Sequence, residues 1–176
     1  METINFDRLL LKTAFSCMAC DGDIDNREVN LIKQLHKENK TFGEIDLNSE
    51  LDGLILLINK GGQQFLRDYF KELIAFDLSE SNELKLIEIA IDTIKADDKI
   101  EYSEIKFFKV IRSKLDIKNE RILDKHPDFE EYLEQDIISE SYLSGLLDDY
   151  LGSQNLPNFE ISHSINLKDI TNKDSE

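Results

Sequence analysis

The residues that most constrain this chain occur twice. Asp21, Ile24, Asp25 and Glu28 return 76 positions later as Asp97, Ile100, Glu101 and Glu104. The apolar residues before them keep the same offset, with Leu10, Leu11, Ala14, Phe15 and Met18 matching Leu86, Ile87, Ala90, Ile91 and Ile94. So do those after them, Val29, Leu31, Ile32 and Leu35 matching Ile105, Phe107, Phe108 and Ile111. Both flanks have helical spacing, so the repeated unit is an acidic turn between two amphipathic helices. Two such units predict an all-α, single helical bundle with an internal two-fold helix-pair repeat.

Every clear period along the chain is helical. An apolar stripe predicts a first helix over 3–20, interrupted at Gly22. Asp25 as N-cap with Glu28 at the third helical position forms an Asp-type capping box, and that second helix runs to about Asn39. Asn48 and Ser49 read as start signals for an apolar helix through Leu54, Ile55, Leu57 and Ile58, stopped at Gly61-Gly62. A fourth helix over 63–77 carries Phe65, Leu66, Tyr69, Phe70, Leu73 and Ile74. Ser79 or Ser81 caps a fifth, to Ala96, and a sixth spans 102–115. Shorter pieces at 118–125 and 128–136 straddle Pro127, and another is expected at 139–151, giving about seven to nine helices in all. No stretch alternates long enough to propose a strand. From Gly152 the composition turns to Ser, Asn, Gln and Pro, which predicts a tail over 153–176 that is mobile or orders on a partner.

Charge narrows the function. A formal net charge of −16 disfavours nucleic acid and anionic membranes, which reward cations, and suits metal cations or a basic protein surface. Nine acidic residues and no lysine or arginine lie between Pro127 and Leu167. No apolar run is long enough to span a bilayer and the first residues do not read as a leader, so a cytoplasmic protein is expected. Cys17 and Cys20 form the only C-x-x-C. A zinc site lacks the further ligands it would need, and the pair lies within a helical stripe, where small buried hydrophobes are expected. His36, His126 and His163 stand singly and read as surface residues.

Ala19-Cys20-Asp21-Gly22-Asp23-Ile24-Asp25-Asn26-Arg27-Glu28 resembles the helix-junction signature of the TerB-like family, named from tellurite-resistance protein B and found also in N-terminal regions of some J-domain co-chaperones. The family carries the signature twice, near the ends of the first and fifth helices, as here. The resemblance covers about residues 5–117 of the chain. It implies a TerB-like helical domain over 1–120, and outside the resemblance the chain's own periodicity and charge predict an acidic helical extension over 121–152. It further implies a bacterial, non-enzymatic binding or adaptor protein of stress response, such as tellurite resistance, or of phage (antiviral) defence, working with a protein partner in a membrane-associated complex. The family's acidic residues are proposed to bind metal. Carried over by position, these are Asp21, Asp23, Asp25 and Glu28, and more weakly Asp97, Asp98, Glu101 and Glu104. The second copy departs from the pattern, because Asp98 replaces the glycine and Lys99 stands where Asp23 stands in the first.

Two roles compete for these turns. Carboxylates suit calcium or magnesium, hard cations that take six or more oxygens. Asp21, Asp23 and Asp25 alternate as ligands do at the start of an EF-hand loop, but the glycine and final glutamate of that loop are absent at Asn26 and Ile32. The structural role is capping, which accounts for Gly22, Asp25, Glu28 and Glu104 with no ligand. The acidic stretch after Pro127 likewise has two readings. Phe129, Tyr132, Tyr142, Leu146, Leu147 and Tyr150 anchor it to a basic partner, as in an acidic inhibitor or nucleic-acid mimic, or they pack on the chain's own domain. No Gly-rich phosphate loop, nucleophile elbow or His-Glu-x-x-His is present, so no catalytic residues are assigned.

Overall fold

The computed structural model describes residues 5–22, 24–96, 99–134 and Phe159. Among them lie eight α-helices and no strand: α1 (Phe6–Ala19), α2 (Asn26–Asn39), α3 (Leu47–Gly61), α4 (Gln63–Ala75), α5 (Glu80–Ile94), α6 (Tyr102–Ser113), α7 (Asn119–Leu123) and α8 (Glu130–Leu133). A 3-10 turn at Pro127–Phe129 links the last two. The protein is an all-α bundle, as the periodicity predicts.

Its centre is the pair α1 and α5, the most extensive helix contact. In α1, ten of fourteen side chains are buried. A helix apolar around most of its circumference must be surrounded. Accordingly α1 also meets α3, α4 and α6, while α5 meets α2, α6 and α7. All the residues matched upstream of the two turns are buried. Each such aliphatic side chain contributes about 1.5–3 kcal/mol of burial free energy. Aromatic rings fasten the outer layer: Phe65 meets Phe15 edge-on at 5.7 Å, and Phe107 lies 5.1 Å from Phe70.

Local chemistry sets the ends. Helix α3 starts earlier than the Asn48-Ser49 signal suggests, because Asp46 is the cap and its Oδ1 accepts the Ser49 N–H at 3.2 Å. That start turns Leu47 inward. Gly62, at φ +52°, breaks the chain between α3 and α4. Ser79, not Ser81, caps α5.

Several apolar residues fall outside the buried faces. Leu57 is 54% and Ile74 59% exposed, because the α3–α4 hairpin lies on α1 with its opposite face uncovered by the described residues. Ile24 packs on the core as expected, whereas Ile100 remains 36% exposed. His36 is half-buried and stacks on Phe42 at 6.1 Å, a correction to its expected surface position. Phe129 is buried edge-on against Phe108 at 5.2 Å with Tyr132 beside it, so these two pack on the domain instead of anchoring a partner. His163, Tyr142, Leu146, Leu147, Tyr150 and the expected helix over 139–151 lie outside the described residues. Among those described, no helix is long and apolar enough to cross a membrane.

Candidate functional site at the acidic helix junctions

The first junction begins where α1 runs out at Ala19. Gly22, at φ +94°, turns the backbone, and its N–H reaches the Ala19 carbonyl at 3.2 Å. A left-handed residue here ends the helix with little strain because glycine has no Cβ. Asp25 then caps α2. Its Oδ1 accepts the Arg27 backbone N–H at 2.6 Å, while Glu28 Oε2 accepts the Asp25 N–H at 2.9 Å. The Asp25 side chain also accepts the backbone N–H of Glu28, and that contact and the Glu28–Asp25 bond are the reciprocal pair of a capping box. The Arg27 guanidinium also forks onto Asp25, with Nε to Oδ1 and Nη2 to Oδ2 each at 3.1 Å. Hydrogen bonds from the Arg27 side chain and backbone hold the Asp25 carboxyl below its ordinary range.

The second junction repeats the device. Glu101 is the residue before α6, and Glu104 Oε2 accepts its N–H at 2.7 Å. Lys99, which stands where the first copy has Asp23, forms an ion pair with Glu101.

Glu28 and Glu104 are both buried. Both carboxylates add to the burial that pushes the Cys17 and Cys20 thiols well up. The two third-position glutamates therefore act on the buried thiols at the C-terminal end of α1. The residues equivalent to the cysteines are Thr93 and Ala96, and the buried Thr93 hydroxyl donates to the Ile89 carbonyl at 2.7 Å. Both cysteines are free thiols packed in the core.

The described carboxylates of the candidate cation site already have partners within the chain. Asp25 has both oxygens on Arg27, Glu28 and Glu104 are engaged in caps, and Glu101 is paired with Lys99. Among the described residues, no three His, Cys, Asp or Glu side chains come together in a way that could hold a metal ion. Asp21 is an exposed residue of the first turn, and Asp23, Asp97 and Asp98 lie outside the described residues.

Two contacts had no signature in the sequence. Glu83 is buried at the start of α5, and its Oε1 accepts the Asp116 N–H from 33 residues away at 3.1 Å. Asn59, near the end of α3, is hydrogen bonded to Phe159 in both directions. Neither partner is a sequence neighbour, so no local pattern could have paired them. No family model matches the chain, and neither curated proteins nor solved structures gave a match.

Proposed function

We propose that this chain is a non-enzymatic, TerB-like binding or adaptor protein of bacterial stress response or phage defence. The observation that carries the reading is the repeated acidic junction, in which Glu28 and Glu104 are both buried and each accepts the backbone N–H of the residue before its helix. That arrangement fits a family whose signature occurs twice in one helical domain. In this reading the junctions set the geometry of a rigid bundle, and binding to a protein partner supplies the activity. A weak calcium or magnesium site at the first turn belongs to the same reading, drawing on Asp21, Asp23, Asp25 and Glu28, of which Asp25 and Glu28 also serve the cap.

Deleting the gene in its host tests the proposal. The deletion is expected to lower tolerance to tellurite or to raise phage plating by tenfold or more, with wild-type protein restoring it. Unchanged survival under both challenges overturns the reading. A calorimetric titration with calcium and with magnesium checks the cation separately: a weak saturable heat that disappears in Asp21→Asn with Asp23→Asn is expected, and a titration with no saturable heat removes the cation from the reading.

A further inference from the structure

Phe159 is held by Asn59 across a separation of 100 residues. Asn59 Nδ2 donates to the Phe159 carbonyl at 2.6 Å, and the Phe159 N–H donates to Asn59 Oδ1, also at 2.6 Å. A side-chain amide carries the same donor and acceptor as a peptide unit. The N–H and C=O of a single residue point to one side only where the backbone is extended. Asn59 therefore binds Phe159 as a neighbouring strand would, satisfying both of its backbone groups at once. The Phe159 side chain is partly buried and packs against the bundle core.

The surroundings suit a peptide ligand. Leu56 lies one turn before Asn59 on α3 and is 56% exposed, so apolar surface adjoins the clamp. Residues 153–165 carry a single acidic side chain, Glu160, and no lysine or arginine. On a protein of net charge −16 a near-neutral segment avoids the repulsion that a more acidic one would meet.

We propose that the Asn59 end of α3 is a docking site for an extended, near-neutral peptide with a phenylalanine anchor, occupied in cis by this chain's own Phe159. Backbone recognition by the amide makes the site tolerant of sequence, and the ring supplies selectivity. A partner carrying such a segment exchanges with the tail, against the high effective concentration that tethering gives the cis copy. The trans exchange rests on the adaptor reading only for the existence of a partner; the cis contact does not depend on it.

The experiment uses full-length protein and a fluorescent peptide of residues 153–165. The wild-type chain should bind the peptide weakly, and Phe159→Ala, with its cis anchor removed, at least tenfold more tightly. Adding Asn59→Ala to that variant should reverse the gain by tenfold or more, and Asn59→Asp, which lacks the amide donor, should also weaken binding. Asn59 is a half-buried residue near a helix end, so the variants are expected to unfold at the same urea midpoint as their parent, within error. Hydrogen exchange gives a second readout on the unsubstituted chain: the Phe159 amide should be protected in wild type and lose that protection in Asn59→Ala. A peptide bound no better by Phe159→Ala, binding indifferent to Asn59, or a wild-type Phe159 amide exchanging at the rate of the free peptide would each overturn the proposal. The host deletion reads the adaptor role and the peptide titration reads the clamp, so the two can fail separately.

Discussion

Tyr69 shows how much a single hydroxyl matters in this core. Its ring is fully buried, and burial pushes the phenol well above its ordinary range, so it stays a neutral donor. The hydroxyl donates to Thr13 Oγ1 at 3.0 Å, and Thr13 in turn donates to the Leu9 carbonyl at 2.9 Å. This short relay joins α4 to the middle of α1. Removing its two ends has unequal consequences. Tyr69→Phe leaves Thr13 bonded to Leu9 and costs about 1 kcal/mol, the net worth of an ordinary hydrogen bond. Thr13→Val leaves a buried phenol with no acceptor and costs about 1–3 kcal/mol. The double variant should therefore lose less than the sum of the two, because nothing remains unsatisfied. Urea unfolding of the four proteins checks this, and strictly additive losses would show that the relay is not a coupled unit. Thr13 and Tyr69 read from the sequence only as members of two helical stripes. Their pairing depends on how α4 lies across α1, which no local pattern encodes.

At the scale of elements, the junctions were the most legible part of the chain, because capping is local. Asp25 and Glu28 announced the start of α2 three residues apart, and Gly22 announced the end of α1. Asp25→Ala should cost about 1 kcal/mol of stability, as N-cap losses do. Acid should produce a related loss. The Asp25 carboxyl titrates lower in the folded chain than in the unfolded one, so its contribution is complete above the unfolded carboxylate range. It is lost as pH falls through the depressed folded value. Solvent reaches this carboxylate, which limits the effect. The gap between wild type and Asp25→Ala in urea midpoint is thus expected to narrow as pH drops below about 4. A gap that stays constant into strong acid would mean that the charge of Asp25 contributes nothing to the cap. Stripe width was less legible than stripe position. Leu57 and Ile74 continue apolar patterns in α3 and α4, yet the buried arc of each helix is set by its neighbours. The start of α3 was displaced for a related reason, since burying Leu47 favours Asp46 over the later polar residues as cap.

Across the whole molecule, the repeat predicted two related helix pairs, but not that both buried glutamates would act on Cys17 and Cys20. That proximity follows from α1 packing on α5, with α2 and α6 both packed on α5. It also decides the fate of the C-x-x-C pair. A thiol reacts as thiolate, and burial together with two nearby carboxylates disfavours that form at both positions. The cysteines sit in a helix packed against α3, α4, α5 and α6, so no small local opening uncovers them. Thiol labelling should then report the unfolding of the entire core. In native buffer a disulfide reagent is expected to leave both cysteines unmodified over minutes. In urea, labelling should appear at the midpoint at which the helical signal is lost, for the two positions alike. Cys17→Ala and Cys20→Ala, tested singly, separate the two thiols. A cysteine that labels well below that midpoint would place its part of α1 in an independently opening unit, and one that labels at once in the native protein would return the pair to redox chemistry.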